Sequence, residues 1–403
     1  MNDPVRAQYE RWIYPEPIAD LAAPGVPLRL DGGDPDVLGR AYWPDRPLRE
    51  DLHILVAGCG ANAAARIAFR HPKATVVGID LSEASLAHER HLKARHRLDN
   101  LTLRRCRIED AQELDRTFDL IDSSGVLHHL PDPAAGLKSL AGLLRPDGVV
   151  FLMLYGKYGR AGAYMAQEIF RALGVGQSPD DVAFVKQALA SFKVDHPVSV
   201  YRATAEDLGY DAGIVDTFLH PQDRPFTVAA CLELVDAAGL AFQGWMDNFY
   251  YYPEWQMPRD SALFRRLEKL PDHELWQVME LFHGRIARHC FYACRRDRDP
   301  RTYRIGFDDD RFMHRVPILR CKLVQGTDSV ALERPPLPKI PLRGAHAAIA
   351  RLIDGRRTVL ACFREAGLRA ESPEVATSFC RGMFRDLWRL GYCFLVDPAA
   401  VAR

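Results

Sequence analysis

The chain has 403 residues, 48% apolar and 26% charged, and its 53 Lys and Arg are balanced by 53 Asp and Glu. That length can bury at least one large core and more readily two, and the zero net charge argues against a general nucleic-acid binder. No run of about 18 apolar residues is present, and Met1 is followed by Asn-Asp-Pro rather than a basic and apolar leader, so a cytoplasmic chain without a membrane span is expected. The nine cysteines are scattered. The closest pair, Cys290 and Cys294, falls in the apolar run H-C-F-Y-A-C. That spacing suits neither a disulfide framework nor zinc, so free thiols and no metal are expected.

In chain order, Q-Y-E-R-W-I-Y-P-E-P first gathers Tyr9, Trp12 and Tyr14 ahead of a proline-rich lead. These aromatics either cover a ligand or dock the N-terminus. Residues 54–80 then read as strand, turn, helix and strand, I-L-V-A-G-C-G-A-N-A…T-V-V-G-I-D. Gly58 and Gly60 let the backbone turn sharply and approach a ligand. Asp80 stands 20 residues after Gly60, where a carboxylate can accept from both ribose hydroxyls, which points to an adenosine cofactor. Gly58-x-Gly60-x-x-Ala63 also fits a nicotinamide dinucleotide fingerprint, so the glycines alone leave two cofactors open.

The following stretch separates them. Leu101 to Cys106 alternates as a third strand and is followed by I-E-D-A with Asp110; then come F-D-L-I-D-S-S-G-V-L-H-H-L-P-D-P, a helix, and L-R-P-D-G-V-V-F-L-M-L. This order resembles the class I S-adenosylmethionine-dependent methyltransferases. The resemblance implies an α/β fold with a Rossmann-like seven-stranded sheet and S-adenosylmethionine as cofactor. It implies Gly58, Cys59, Gly60, Asp80, Leu81, Asp110, Ser124, Gly125 and Tyr14 as cofactor residues, with Val126 also near the sulfonium. It further implies that the N-terminal segment folds over the cofactor. Two positions depart from the family: Val56 stands where an acid is usual, and Asn62 where a third glycine is usual. The methionine amino group must therefore find another partner.

After the fifth strand, Y-G-K-Y-G-R-A-G-A-Y-M begins a helix and a polar stretch runs to about Asp223. R-P-F-T-V-A-A-C-L-E-L-V-D-A-A-G-L-A-F-Q-G-W then reads as helix, Gly239 stop and sixth strand, and R-H-C-F-Y-A-C-R as the seventh. Residues 157–222 and 247–285 are thus insertions at the ligand-binding edge of the sheet. Tyr155, Tyr158, Arg160, His220, Tyr250 and Tyr251 are candidates for an acceptor pocket there. His128 and His129 follow strand four; His128, with Tyr155, is the preferred catalytic candidate, should the acceptor need a general base.

From Asp297 onward the chain carries 19 basic and 13 acidic residues, a net of +6. It reads as a Pro-rich crossing at R-P-P-L-P-K-I-P-L, three amphipathic helices and a terminal G-Y-C-F-L strand. That order resembles a winged-helix-like α+β module and, weakly, the peptide-binding domain of the pyrroloquinoline quinone peptide chaperone. The expected organisation is a cofactor-covering segment over 1–39, a methyltransferase domain over 40–296 and the α+β module over 297–403. The expected reaction is in-line methyl transfer to a small molecule. A peptide or protein acceptor recognised by the terminal module is the alternative, and an RNA acceptor lacks the basic stripe it would need. A homodimer is compatible with the terminal module.

Overall fold

The computed structural model describes residues 3–27, 33–326 and 329–401. Seven strands form one sheet: β1 (His53–Ala57), β2 (Thr75–Asp80), β3 (Leu101–Arg105), β4 (Phe118–Ser124), β5 (Leu144–Tyr155), β6 (Leu240–Trp245) and β7 (Arg288–Arg295), in the order β3-β2-β1-β4-β5-β7-β6. The pairs from β3 through β5 are parallel and β7 runs antiparallel to β5. This is the Rossmann-like sheet expected. Its central strands are continuous apolar runs because helices cover both faces, and Ile54, Leu55, Leu120, Ile121, Val149 and Leu152 are fully buried. Helix Val228–Ala237 ends before Gly239 (φ +75°), and β6 follows, as the pattern predicts.

The order of strands places the carboxyl ends of β1, β2 and β4 side by side. Because β1 lies between β2 and β4, the turns that leave all three open on one edge, where parallel sheets bind ligands. Helix Ala63–Arg70, following β1, has no side-chain cap of its own. Glu89, fully buried on helix Glu83–His96, supplies one from the neighbouring helix, its two oxygens accepting from the amides of Ala64 and Ala65 at 2.9 and 2.8 Å. Burial pushes the Glu89 carboxyl up to about 8, opposed by those two amides.

The polar stretch expected over 157–222 is instead four helices with their own core: Ala161–Ala172, Pro179–Ala190, Pro197–Arg202 and Asp211–Phe218. Phe170, Val185, Leu189, Val198, Val215 and Phe218 form its interior. The helices are short and heavily charged outside, which hides their apolar period. Ser178 and Asp181 nevertheless form a capping box around Pro179.

The chain divides into two compact units. One contains residues up to 37 with 50–242 and 280–297; the other contains 38–49, 243–279 and the segment from 298 onward. The second unit therefore takes in residues 40–49 and most of the second insertion, stretches that the sequence reading attaches to the methyltransferase domain. In this unit Tyr251 stacks on Trp245 at 4.0 Å, and Tyr250 packs against the core of the terminal helices. Both tyrosines are packing residues there. Arg389 pairs with Glu254 at 2.8 Å and lies over the Tyr252 ring at 4.6 Å.

The terminal segment contributes β8 (Val316–Leu319), β9 (Lys322–Gln325), β10 (Ser329–Glu333), β11 (Ile340–Arg343) and β12 (Cys393–Val396). The three expected helices are Gly344–Arg351, Val359–Glu365 and Pro373–Arg389. The terminal strand β12 pairs antiparallel with β8, and β9, β10 and β11 form a three-stranded antiparallel sheet. The Pro-rich run lies inside this segment, where it turns β10 into β11, and Pro341 sits in β11, an edge strand, where a residue without an N–H is tolerated. Among the described residues no helix is long and apolar enough to cross a membrane. All nine cysteines are free thiols.

A fragment of residues 1–300 would leave 38–49 and 243–279 without the chain segment they cluster with, exposing Phe249 and Tyr252. It is expected to be insoluble or to melt well below the full chain. A soluble fragment with the full-length melting temperature would show that the two units fold independently along the sequence.

Candidate active site

At the end of β1 the chain reverses through Gly58 (φ +79°) and Gly60 (φ +53°), in the region where side chains are strained. A Cβ on Gly58 would lie 2.4 Å from a methyl of Val126, and one on Gly60 would lie 3.0 Å from the Tyr14 carbonyl oxygen. The loop after β4 and the N-terminal segment therefore press on the turn from two sides. The amides of Gly58 and Cys59 donate to the Ile79 carbonyl at 2.8 and 3.0 Å, and that of Gly60 donates to Oδ2 of Asp80 at 2.8 Å. Oδ1 of Asp80 accepts from the Ser82 amide at 2.8 Å. Each oxygen of a carboxylate keeps a second lone pair, and Asp80, with Leu81 after it, remains partly exposed. Burial pushes the Asp80 carboxyl up, while the amides of Ser82 and Gly60 pull it down. The Cys59 thiol is buried and its pKa raised by desolvation, so only its backbone shapes the turn.

Asn62 explains one departure from the family pattern. Its Oδ1 accepts from the Ile18 amide at 2.8 Å and its Nδ2 donates to the Glu16 carbonyl at 2.9 Å. Where a third glycine is usual, this chain has a side chain that fastens the N-terminal segment across the turn. Glu10 does the same further along, capping helix Glu83–His96 through the amides of Glu83 and Ala84 at 2.9 and 3.1 Å. Ser82 Oγ donates to the Tyr9 carbonyl at 3.2 Å, and Tyr14 Oη donates to Asp207 at 2.9 Å. Trp12 packs on the helices of 157–222 and donates to the Gln177 carbonyl at 3.2 Å, so it anchors the segment.

On β4, Ser124 Oγ donates to Oδ1 of Asp122 at 2.5 Å, and Gly125 (φ +76°) and Val126 follow. Asp122 is 2% exposed and stands in register beside Val56 of β1, the position that lacks the usual acid. Burial pushes its carboxyl up to about 6, with the Ser124 bond and the charge of Arg66 pulling it down. Asp110 lies exposed at the start of the short turn Ala111–Leu114, just past the buried Ile108, and its side chain caps no amide.

Beyond the turn, a buried polar cluster joins the end of β4, the end of β5 and the helices of 157–222. His128, His129, Arg160, Asp216 and His220 are each less than 5% exposed. The His128 ring lies 4.1 Å from that of Tyr155, and the His129 and His220 rings stack at 3.7 Å. Tyr9 Oη donates to Asp216 at 2.8 Å, and Tyr155 Oη donates to the same carboxylate at 3.4 Å. Arg160 sits 3.5 Å over the Tyr155 ring and pairs with Asp223, which also accepts from Gln167 at 2.9 Å. Desolvation pushes Asp216 and both tyrosine hydroxyls up and pushes His128 and His220 down, so the histidines are neutral near pH 7. Three of the pocket candidates read from sequence, Tyr155, Arg160 and His220, meet here. Tyr158 is partly exposed outside the cluster, its ring beneath Lys157.

Residues 55–150 match the model of the Methyltransferase domain family. Those residues form a class I S-adenosylmethionine-dependent methyltransferase domain. An uncharacterised protein of Synechococcus sp. is 27% identical over 324 residues, 78% of this chain and 76% of that one. The Ubiquinone biosynthesis O-methyltransferase of Neisseria meningitidis is 33% identical over 134 residues, 32% of this methyltransferase, which spans about half (51%) of that enzyme's length. Among solved structures, PKMT2 from Rickettsia typhi in complex with AdoHcy shares the fold with a TM-score of 0.67 at 17% identity, over 93% of this chain and 77% of that one.

Asp80, partly exposed at the end of β2 with one further lone pair on each oxygen, is the carboxylate that could accept the two ribose hydroxyls of the cofactor. Charge-assisted bonds of that kind contribute about 1.5–3 kcal/mol each. Asp80→Ala should weaken S-adenosylhomocysteine binding at least tenfold in calorimetry, and an unchanged affinity would remove Asp80 from the site. Asn62→Ala, which frees the covering segment while leaving the turn glycines intact, should weaken it by a smaller factor, about threefold to tenfold.

Proposed function

We propose that this methyltransferase moves the methyl group to an oxygen or nitrogen of a small-molecule acceptor held beneath the helices of 157–222. The observation that carries the reading is a set of buried polar atoms without partners at the ends of β4 and β5. Both ring nitrogens of His128, and Oδ1 of Asp223, are buried without a hydrogen-bond partner among the described residues. Buried polar groups left unpaired cost about 1–3 kcal/mol each, so a ligand that supplies their partners is favoured. A compact polar molecule does so, whereas a peptide backbone needs an open groove.

When bound, S-adenosylmethionine supplies an electrophilic methyl on a positively charged sulfur, so the chain's task is alignment. Gly58, Gly60, Asp80 and Leu81 would hold the nucleoside, with Tyr14 above the turn and Ser124, Gly125 and Val126 along the path to the acceptor. Asp122 takes over from the acid missing at Val56 as partner of the methionine amino group. His128 and Tyr155 orient the acceptor, and the bond from Tyr155 to Asp216 keeps the phenol ring in place. The ubiquinone enzymes among the relatives agree with a small acceptor, through their name, over the part of the chain they match.

Incubating the full chain with methyl-labelled S-adenosylmethionine and cell extract should place the label in products below about 1 kDa. Label confined to protein or peptide would replace this reading with the peptide alternative. The role of Asp122 predicts a pH dependence. A cationic amino group favours the ionised carboxyl, so binding releases the proton that Asp122 holds below pH 6. Affinity for S-adenosylhomocysteine should therefore rise roughly tenfold from about pH 5 to about pH 7. In Asp122→Asn, affinity should be weaker and nearly flat over that range. A wild-type affinity independent of pH would exclude this role.

A further inference from the structure

We infer that the backbone of Gln222 fixes His129 and His220 in opposite tautomers and thereby makes His129 the general base of methyl transfer, which restricts the acceptor to a nucleophile bearing a proton on oxygen or nitrogen. The inference rests on the acceptor site proposed above and names the chemistry of its substrate.

The geometry is that of one residue holding two rings. Nδ1 of His129 lies 2.8 Å from the Gln222 carbonyl oxygen, and Nδ1 of His220 lies 3.0 Å from the Gln222 amide nitrogen. A carbonyl only accepts and an amide only donates. His129 therefore carries its proton on Nδ1 and presents a lone pair at Nε2. His220 accepts at Nδ1 and carries its proton on Nε2, which donates to Tyr9 Oη at 3.3 Å while that hydroxyl donates to Asp216 at 2.8 Å. The stacked pair, 3.7 Å apart and 21° from parallel, is thus one acceptor beside one committed donor.

His129 is the better placed of the two candidate bases. Carboxylates of Asp216 and Asp223 each lie within 4.8 Å of one of its ring nitrogens and stabilise the imidazolium that forms. His128 has no bond that fixes its tautomer, and burial, His129 and Arg160 all oppose its protonation. The groups that face His129 are the rings of His128, His220 and, from β5, Tyr155, with the carboxylates of Asp216 and Asp223; Tyr9, through His220 and Asp216, and Arg160, over Tyr155, complete the cluster. The same side chains are near enough to bind a cation, but a metal on Nε2 of His220 would require an imidazole deprotonated at both nitrogens, because Nδ1 already accepts. Metal-bound histidines instead donate their second N–H. The donor set suits proton transfer.

In the step itself, the acceptor's X–H bond breaks and its electron pair forms the bond to the methyl carbon. The methyl–sulfur bond breaks with its pair left on sulfur, and the proton passes to Nε2 of His129. The products are the methylated acceptor, S-adenosylhomocysteine and a histidinium, which returns its proton to solvent after release.

The test begins with imidazole nitrogen NMR on the full chain, labelled at histidine and bound to S-adenosylhomocysteine. Between about pH 7 and pH 8, His129 should report a proton on Nδ1 and His220 a proton on Nε2; like tautomers, or a proton on Nε2 of His129, would overturn the inference. The second arm uses His129→Asn, whose amide nitrogen can still donate to the Gln222 carbonyl but which has no basic nitrogen. It should lose at least 100-fold in label transfer to the small product, with S-adenosylhomocysteine affinity within threefold of wild type, in the range general bases contribute. His128→Asn should lose far less. A His129→Asn rate within fivefold of wild type would overturn the base assignment. A wild-type enzyme that labels no small product would instead overturn the acceptor reading on which it rests.

Discussion

One carboxylate sets the register of everything around the cofactor turn. Asp80 ties the amide of Gly60 on one side to the amide of Ser82 on the other, so β1's exit and β2's exit cannot move independently. Ser82 in turn bonds the Tyr9 carbonyl, and helix Glu83–His96 is capped by Glu10. The N-terminal segment is therefore built onto the same knot as the turn it crosses. Glu89 extends the arrangement inward by capping the helix that follows the turn. A network of this kind orients an incoming ligand because its members are already paired and little reorganisation is left.

The sheet was legible because its signals are local and strong. The buried run I-L-V-A, the glycines after it and the acid at the end of T-V-V-G-I-D each follow from strand burial and turn sterics alone. What could not be read were the pairings over long sequence separations. Nothing in the neighbourhood of Asn62 announces that it binds Glu16 and Ile18, and Asp216 and Asp223 lie in a stretch whose short charged helices mask their own core. Asp122 was in view within F-D-L-I-D-S-S, yet its value comes from standing in register beside Val56, a relation that exists only once β4 is placed next to β1.

The two histidines after β4 illustrate how position outweighs residue type. His128 and His129 are adjacent and both buried, but only His129 meets a backbone carbonyl that orders its protons. Its neighbour His220 arrives from more than 90 residues away and is held by the amide of the same Gln222. The stretch 157–222, with its helices, thus supplies side chains and backbone to the buried polar cluster after β4. The substitutions that redirect such an enzyme toward a new acceptor are accordingly expected among these helices rather than in the sheet.

Pro341 bears on how this protein behaves in a crowd of its own kind. An edge strand offers a row of unpaired N–H and C=O groups to any extended chain that drifts past. In β11 that row is interrupted at Pro341, which has no hydrogen to give, and its flanks are Lys339 and Arg343. An approaching strand finds a broken ladder there, so this edge of the three-stranded sheet is guarded against strand-to-strand aggregation.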